Sequence, residues 1–352
     1  MFYLNKINLN KMNLFKNKYM YLMNIMIIIS LYSMFITNFI QLWIMMEINT
    51  LLMILFISIQ SKNSMTSFNY FIIQSISSLM LIMCLIIKNY LFNNMLINII
   101  IMLIFSMKLS MFPFFIWMPL INMKLNWILI FFMSTTQKLI PMLILNSIFN
   151  FNSSNLNLVY WIYLTIMFSS MFSSIMSIKE LNMKKILTYS SINHSSWMLF
   201  ILSIDQSMFY LYFFIYSISM MFFCLMMNKF NINKINQLTK INLFNYKFIN
   251  IMLSMNTLIL SALPPFLTFL IKLNSMKIIM FNNHKLMIIT FSILSIITLI
   301  FYMSIVIKMN FILLIKNKIW ITSLKLNNKF YSSILIMILT LNIMFLIYQF
   351  LI

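Results

Sequence analysis

The chain has 352 residues, of which 63% are hydrophobic and only 8% are charged. Because about a quarter of the residues of a soluble globular domain are charged, this composition excludes a soluble globular protein. The formal net charge of +21 comes from lysine alone, and without arginine, a basic helix or a soluble domain it does not indicate a nucleic-acid partner.

Apolar runs of about twenty residues recur along the chain, and each is long enough to cross a hydrocarbon core about 30 Å thick as a helix. The strands of a membrane barrel would alternate polar and apolar residues, whereas these runs do not alternate. The sequence therefore predicts an all-α, polytopic membrane protein. The eleven predicted spans are residues 20–40, 42–60, 69–87, 94–119, 127–149, 158–178, 186–203, 207–228, 248–273, 286–307 and 331–351.

Two of the predicted spans are discontinuous. Pro113 lies inside the fourth span, which closes at Pro119, and Pro264-Pro265 lies inside the ninth. Proline removes a backbone hydrogen-bond donor and clashes with the preceding helical turn. Broken helices in a membrane are tolerated where they line a cavity or pack inside protein, so both interruptions are predicted to lie in the interior.

The lysines lie mostly at one end of the predicted spans. If the spans alternate in direction, the N-terminal segment and the loops after the even-numbered spans hold 18 of the 24 lysines. The opposite side holds Lys88, Lys277 and Lys285 together with Asp205. Since lysine-rich loops stay in the compartment where the chain is made, the N-terminus is predicted to lie on that side of the membrane, inside, and the C-terminus on the opposite side, outside.

The residue choices indicate the origin of the gene. Glycine and arginine are absent and alanine occurs once, which points to AT-rich codons, and the 39 methionines fit a code that reads ATA as methionine. We therefore predict a mitochondrial inner-membrane protein with its N-terminus in the matrix and its C-terminus in the intermembrane space. Residues 1–19 are predicted to form a Lys-rich, matrix-facing extension and residues 20–352 a single transmembrane domain. Anionic lipids such as cardiolipin are the predicted partners of the lysine-rich face.

Four charged residues remain inside the predicted spans: Glu47, Lys108, Lys138 and Lys272. Each costs about 2.5–3.5 kcal/mol at mid-bilayer on insertion scales, so an internal polar path, a pairing partner or a function must retain it. A buried lysine poised beside a carboxylate gains or releases a proton when a neighbouring charge moves, whereas arginine stays protonated. A mixed row of lysine and glutamate therefore predicts a proton relay.

The residues alone leave other roles open. Lys138 lies eleven residues from either end of its span, and Lys108 lies beside the first proline break, so both positions favour a function. Glu47 is one turn from the start of its span and fits an interfacial position equally well. Lys272 closes its apolar run, which is typical of an end-of-helix anchor. His194 is either a structural hydrogen-bonding group or a member of the relay.

Five motifs surround these residues. They are Trp43–Asn49 (W-x-x-x-E-x-N), Met107–Trp117 (K-L-x-x-x-P-F), Gln137–Pro141 (Q-K-x-x-P), Lys185–His194 (K-I-x-x-Y-S-S-I-x-H) and Leu263–Lys272 (L-P-P-x-x-x-F-x-x-K). In order and spacing they resemble the subunit 2 family of mitochondrial NADH dehydrogenase, one of the antiporter-like subunit families of complex I.

The resemblance implies an antiporter-like fold and a role for each residue. Glu47 would be the carboxylate between half-channels, Lys108 the lysine of the first broken helix and Lys138 the central-channel lysine. His194 and Lys272 would complete the relay, and this role replaces the interpretation of Lys272 as an anchor.

The chain departs from the family pattern in two respects. Positions that are glycine in the family carry Ser110, Ser196, Ser261 and Thr268, and each adds bulk where backbones approach. The family histidine of the first broken helix is Phe115 here, and a phenyl ring cannot carry a proton.

The resemblance also implies that the chain couples electron transfer from NADH to ubiquinone to proton translocation, beside other membrane-arm subunits that include neighbouring antiporter-like ones. NADH and ubiquinone would be substrates of the whole complex, and this chain would bind no cofactor or metal. Cys84 and Cys224 cannot ligate an iron–sulfur cluster, and two histidines are too few for a bis-haem cytochrome b. A stand-alone secondary transporter or cation/proton antiporter and a purely structural membrane subunit remain alternatives.

Overall fold

The computed structural model describes residues 20–60, 64–90, 95–149, 156–238, 247–281 and 285–315. Within these ranges the chain is almost entirely helical and contains no strand beyond one isolated bridge. A short 3-10 turn, Ile235–Leu238, follows the tenth helix. The α-helices are α1 Met20–Ser33, α2 Phe39–Gln60, α3 Ser64–Tyr90, α4 Met95–Leu109, α5 Trp117–Asn122, α6 Trp127–Ser134, α7 Thr136–Phe149, α8 Leu156–Lys179, α9 Met183–Leu202, α10 Gln206–Phe230, α11 Lys247–Ser261, α12 Leu267–Phe281 and α13 Lys285–Ile315.

Six stretches of the described chain are helical, long and apolar enough to cross a membrane, and three shorter apolar helices accompany them. The six are Phe39–Gln60, Ser64–Lys88, Trp127–Ile148, Trp161–Lys179, Gln206–Phe230 and Ile288–Met309, and the shorter ones are Met20–Ser33, Leu96–Leu109 and Asn250–Ser261. The predicted all-α, polytopic membrane fold is confirmed. The predicted extension 1–19 and the predicted span 331–351 lie outside the described residues.

Several predicted boundaries differ from the structure, among them the start of α3 at Ser64 and the end of α13 at Ile315. α1 ends and α2 begins on either side of residues 34–38, earlier than the predicted break at residue 41. The Leu42 N–H donates to the Asn38 carbonyl at 3.1 Å, so the polar Asn38 starts the helix inside what reads as one apolar run. α12 continues to Phe281, past the predicted end at residue 273. The prediction ended the span where the apolar run ends, but the polar residues that follow Lys272 are still helical.

The described residues form two compact units, one drawn from Met1–Leu109 and Phe132–Ser153 and the other from Ser110–Phe131 and Ser154–Ile352. In the first unit, α2 packs against α3 and α7, and α4 packs against the same two helices. In the second unit, α9 contacts α5, α8, α10 and α12, while α13 packs against α8, α11 and α12. The single transmembrane domain over residues 20–352 stays a prediction.

Serine takes the place of smaller residues where helices pack. In a chain without glycine and with one alanine, serine is the smallest side chain in regular use. Small residues let helix backbones approach closely in a membrane, and α8 packs against both α9 and α13. Each buried hydroxyl on α8 donates to the carbonyl three residues earlier, so the polar atom is satisfied within its own helix. The buried serines of α8 are Ser169, Ser170, Ser173, Ser174 and Ser177.

Both interruptions marked by proline are present, and each follows a residue with left-handed backbone. Ser110 directly follows α4 and Ala262 directly follows α11, and both have a φ of 56°. At the second break the Ala262 N–H donates to the Ile259 carbonyl at 3.1 Å, and the Leu263 N–H donates to the Leu258 carbonyl at 3.5 Å. This pair of bonds is the Schellman motif, which ends a helix and turns the chain away.

The loops after the fourth, sixth and eighth predicted spans lie together at one end of the second unit. The Lys184 ammonium donates to the Leu125 carbonyl at 2.6 Å and lies 5.9 Å from the centroid of the Trp127 ring. Asn182 pairs with Lys234 in an isolated antiparallel bridge. These contacts agree with the alternating direction predicted for those spans.

Candidate functional site

The first unit contains an ion pair between two of the predicted relay residues. Lys108 Nζ lies 3.2 Å from Glu47 Oε1 and 3.3 Å from Met46 Sδ. Lys108 is in the last turn of α4 and Glu47 in the third turn of α2. The side chain of Lys108 is 1% exposed and that of Glu47 is 27% exposed. The carboxylate is therefore the member of the pair that is open to the surface of the chain.

A set of polar contacts fixes α7 against α2 beside this ion pair. The Asn49 amide donates to the Thr136 carbonyl at 3.3 Å, and the Gln137 amide donates to the Asn49 carbonyl at 3.1 Å. The Tyr70 hydroxyl donates to Gln137 Oε1 at 3.1 Å. Thr135 interrupts the helix between α6 and α7, so these bonds hold the chain in place where its own helical bonds are broken.

Lys138 lies in the first turn of α7 and is 3% exposed. Its backbone N–H donates to the Thr135 carbonyl at 3.0 Å. α7 packs against both α2 and α4, which carry the ion pair. The structure thus places Glu47, Lys108 and Lys138 on adjoining helices of one unit.

In the second unit, α9 is a polar helix that other helices enclose. Every residue from Ser190 to Leu202 is buried, because polar residues at membrane depth need protein rather than lipid around them. His194 lies near the middle of this stretch. Its Nδ1 is 2.9 Å from the Tyr212 hydroxyl and its Nε2 is 3.4 Å from the Tyr302 hydroxyl.

Both ring nitrogens of His194 therefore face a tyrosine hydroxyl. A hydroxyl can donate or accept a hydrogen bond, and a neutral imidazole has one donor and one acceptor nitrogen. The ring can take up a proton on one nitrogen and release one from the other. The Tyr216 ring, with its centroid 4.8 Å from that of His194, packs against the imidazole.

Lys272 lies within α12 and is 5% exposed. Its ammonium is 4.6 Å from the centroid of the Trp197 ring, which is within the range of a cation–π interaction. Lys272 also lines a cavity of about 240 Å³ together with residues of α9, α13 and the second helix break. Ser261, Ser292 and Ser295 supply hydroxyl groups to the lining of this cavity.

Two positions that depart from the family pattern make defined contacts. Thr268, in place of a family glycine, donates from Oγ1 to the Ile259 carbonyl at 2.9 Å and so joins α12 to α11 across the break. Phe115, in place of a family histidine, stacks on Phe172 with ring centroids 5.5 Å apart and planes 14° apart. Phe112 stacks on the same ring at 5.4 Å, so an aromatic cluster fills this position.

Sequence reasoning did not identify the aromatic partners of the buried ionisable groups. These partners are Trp197, Tyr212 and Tyr302. The chain has 16 tyrosines, and spacing does not distinguish the few that face the site. Trp197 follows His194 by three residues on the polar helix, and this position is the one signal in the sequence that marks it out.

Comparison with known proteins identifies the family. Residues 37–298 match the family described as NADH:quinone oxidoreductase/Mrp antiporter, transmembrane. The chain belongs to this family. The matched range covers α2 to α12 and includes both units of the described structure.

Solved structures from three sources share the fold. One chain is from respiratory complex I of Thermus thermophilus with bound aureothin; its TM-score is 0.71 at 13% identity, covering 86% of this chain and 72% of that chain. A chain of the membrane-bound sulfane sulfur reductase, an archaeal respiratory membrane complex, gives a TM-score of 0.70 at 13% identity, covering 89% and 69%. A chain of the Mrp complex from Dietzia sp. DQ12-45-1b gives a TM-score of 0.62 at 12% identity, covering 77% and 56%. At these identities the likeness shows an antiporter-like membrane fold.

Proposed function

We propose that this chain is subunit 2 of mitochondrial NADH:ubiquinone oxidoreductase and that it translocates protons through a relay of Glu47, Lys108, Lys138, His194 and Lys272. The observation that carries the proposal is the Glu47–Lys108 ion pair beside the buried Lys138. Ionisable groups in a membrane interior are costly, and they mark proton and ion pathways. Membership of the family and the fold shared with a complex I chain support the proposal, and the assignment to subunit 2 rests on the five sequence motifs.

In the first unit, proton transfer would proceed by a change of partner. A proton that arrives at Glu47 neutralises the carboxylate, and the enclosed Lys108 ammonium then loses its counter-ion. An unpaired charge in a poorly solvated site is unfavourable, so Lys108 releases its proton. Transfer of the proton from Glu47 to the neutral Lys108 amine then restores the ion pair. The buried amine of Lys138, on the adjoining α7, is the proposed acceptor.

In the second unit, the imidazole of His194 would pass a proton between the hydroxyls of Tyr212 and Tyr302. Lys272 would hold a proton beside the cavity that its amine lines. The three serine hydroxyls of that cavity can each donate and accept hydrogen bonds, so they are suited to water molecules that carry a proton to or from the amine.

The proposed setting is the mitochondrial inner membrane, with the lysine-rich end in the matrix. Other membrane-arm subunits of complex I, including neighbouring antiporter-like ones, and lipids such as cardiolipin are the proposed partners. NADH oxidation and ubiquinone reduction would take place in other subunits, and the redox centres would lie there. Cys84 and Cys224 are buried free thiols in separate units, and the proposal gives them no redox role.

The alternative is a stand-alone secondary transporter or cation/proton antiporter, although the Mrp chain that shares the fold is itself part of a complex. Mild solubilisation followed by native electrophoresis separates the two functions. A complex I subunit migrates with NADH dehydrogenase activity in a large assembly, whereas a stand-alone transporter migrates as a small particle without that activity.

Lys138→Gln in the assembled complex tests the relay. The amide keeps a polar side chain of similar length but carries no transferable proton, so proton pumping should fall by about tenfold or more. Lys277→Gln is the matched control, because Lys277 is exposed on α12 and should leave pumping unchanged. NADH-driven pumping in reconstituted vesicles measures both variants. Unchanged pumping by an assembled Lys138→Gln complex would remove Lys138 from the relay.

A further inference from the structure

The environment of Lys272 contains an aromatic ring in a fixed position. Trp197 is fully buried, and its ring is held by Phe291 of α13, at 4.8 Å between centroids and 59° between planes, and by Phe200, at 5.8 Å and 85°. A tilted contact on one ring and an edge-to-face contact on the other together restrict the orientation of the indole. The indole face that meets the Lys272 amine is therefore set by packing and not by the lysine.

The contact between Trp197 and Lys272 is made by the ring and not by its N–H group. Trp197 Nε1 is buried and has no hydrogen-bond partner within the described part of the chain. A phenylalanine or leucine would avoid the cost of burying an unpaired donor. Tryptophan provides the strongest cation–π surface of the aromatic residues, which gives a reason for its presence beside an amine.

We propose that Trp197 is the positioning residue of Lys272: its indole face holds the protonated amine at the wall of the cavity formed by α9, α12, α13 and the second helix break. This inference rests on the proposed function, in which Lys272 carries protons. The ring stabilises the ammonium form, and it has no comparable attraction for the neutral amine. Trp197 would thus set both the place where Lys272 is protonated and the pH range over which it holds the proton.

The ionisable groups on the surrounding helices lie elsewhere. On α9 the nearest along the chain is His194, which engages Tyr212 of α10 and Tyr302 of α13. On α12 it is Lys277, which is exposed. Lys272 is the one ionisable side chain among the described residues that line the cavity. Among the described residues that line the cavity, no second charged side chain competes with the Trp197 ring for the amine.

Three variants in the assembled, reconstituted complex test the inference, with NADH-driven proton pumping measured across a range of pH. Trp197→Leu removes the ring, so the ammonium is less favoured and the alkaline limit of pumping should move about 0.5–1.5 pH units lower. Trp197→Phe keeps a ring with a weaker negative face, so its limit should lie between the parental and leucine values. Phe269→Leu changes another aromatic residue of the same cavity and should leave the limit unchanged.

A merely structural role for Trp197 predicts a different pattern, in which the amount of assembled complex falls but the pH limit stays at the parental value. That result in Trp197→Phe overturns the inference even if Trp197→Leu does not assemble. Lys272→Gln distinguishes this inference from the proposed function. Full pumping by Lys272→Gln removes Lys272 from the relay and overturns the role of Trp197 with it, whereas lost pumping by Lys272→Gln together with a parental pH limit in the Trp197 variants overturns only the role of Trp197.

Discussion

At the scale of single residues, the Glu47–Lys108 pair is the contact on which the proposed relay depends. Removing one partner of a fully buried ion pair costs about 3–5 kcal/mol, and the 27% exposure of Glu47 puts this pair below that range. Glu47→Gln should therefore lower the melting temperature of the assembled complex. It should also abolish NADH-driven pumping, because the partner change needs a carboxylate that takes up and loses a proton.

A double variant separates stability from function at this pair. Lys108→Met replaces the ammonium by an apolar group of similar length, so Glu47→Gln combined with Lys108→Met leaves no buried charge without a partner. Apolar replacements of buried pairs are often neutral or stabilising, and the double variant should recover the melting temperature while pumping stays lost. Recovery of pumping in the double variant would contradict the partner-change mechanism.

The sequence is informative about these charged residues for a physical reason. Charges are so costly at membrane depth that Lys108, Lys138 and Lys272 stand out in an apolar chain, and the structure places all three at 5% exposure or less. The tyrosines and the tryptophan around them do not stand out, because aromatic residues supply 16% of the chain. Which of them faces an ionisable group depends on helix rotation and packing, and no short-range pattern encodes those.

At the scale of helices, each of the two breaks contains a residue with left-handed backbone, and the chain has no glycine to occupy that position. A left-handed backbone costs a residue with a Cβ atom about 1–2 kcal/mol, and glycine avoids this cost at the expense of more entropy in the unfolded chain. The only alanine of the chain, Ala262, occupies one of these positions, and Ser110 occupies the other. Small side chains therefore remain where the backbone is most demanding.

Ala262→Gly should raise the stability of the complex by about 0.5–1 kcal/mol, the net of those two terms. Ser261→Gly is the matched control, because Ser261 is the last residue of α11 and glycine lowers helix stability. Thermal unfolding of the assembled complex should show a higher melting temperature for the first variant and a lower one for the second. The same direction of change in both variants would show that the left-handed backbone at Ala262 is not the cause.

The breaks could be predicted because proline acts locally. Pro113 and Pro264-Pro265 exclude a continuous helix through their own positions, and the structure interrupts both. The interruption at Thr135 was not predicted, and bonds with Asn49 on another helix lie beside it. The hydrogen bond from Thr268 across the second break is a contact between helices. The sequence shows that threonine replaces a family glycine there, but it does not show this hydrogen bond.

At the scale of the whole molecule, the alternation of spans was predicted from charge and is visible in contacts within the second unit. The loops that hold Leu125, Asn182 and Lys234 meet at one end, as loops after even-numbered spans should. Charge asymmetry predicts the alternation because a whole loop lies on one side of the membrane, and lysine-rich loops stay on the side where the chain is made. The fold class and the shared end of the loops after the fourth, sixth and eighth spans were therefore accessible from the sequence, whereas the packing of helices into two compact units was not.

Labelling of single cysteines tests the proposed orientation. Lys234 and Lys277 are both exposed, and the alternation puts them on opposite sides of the membrane. The native thiols, Cys84 and Cys224, are buried and should give little background. With an impermeant maleimide, Lys277→Cys should react in mitoplasts with an intact inner membrane, and Lys234→Cys only in inverted membrane vesicles. Detergent-solubilised complex is the control, in which both sites should react. Labelling of both cysteines from the same side of the membrane would mean that the predicted span order is wrong. A reversed pattern would place the lysine-rich end in the intermembrane space.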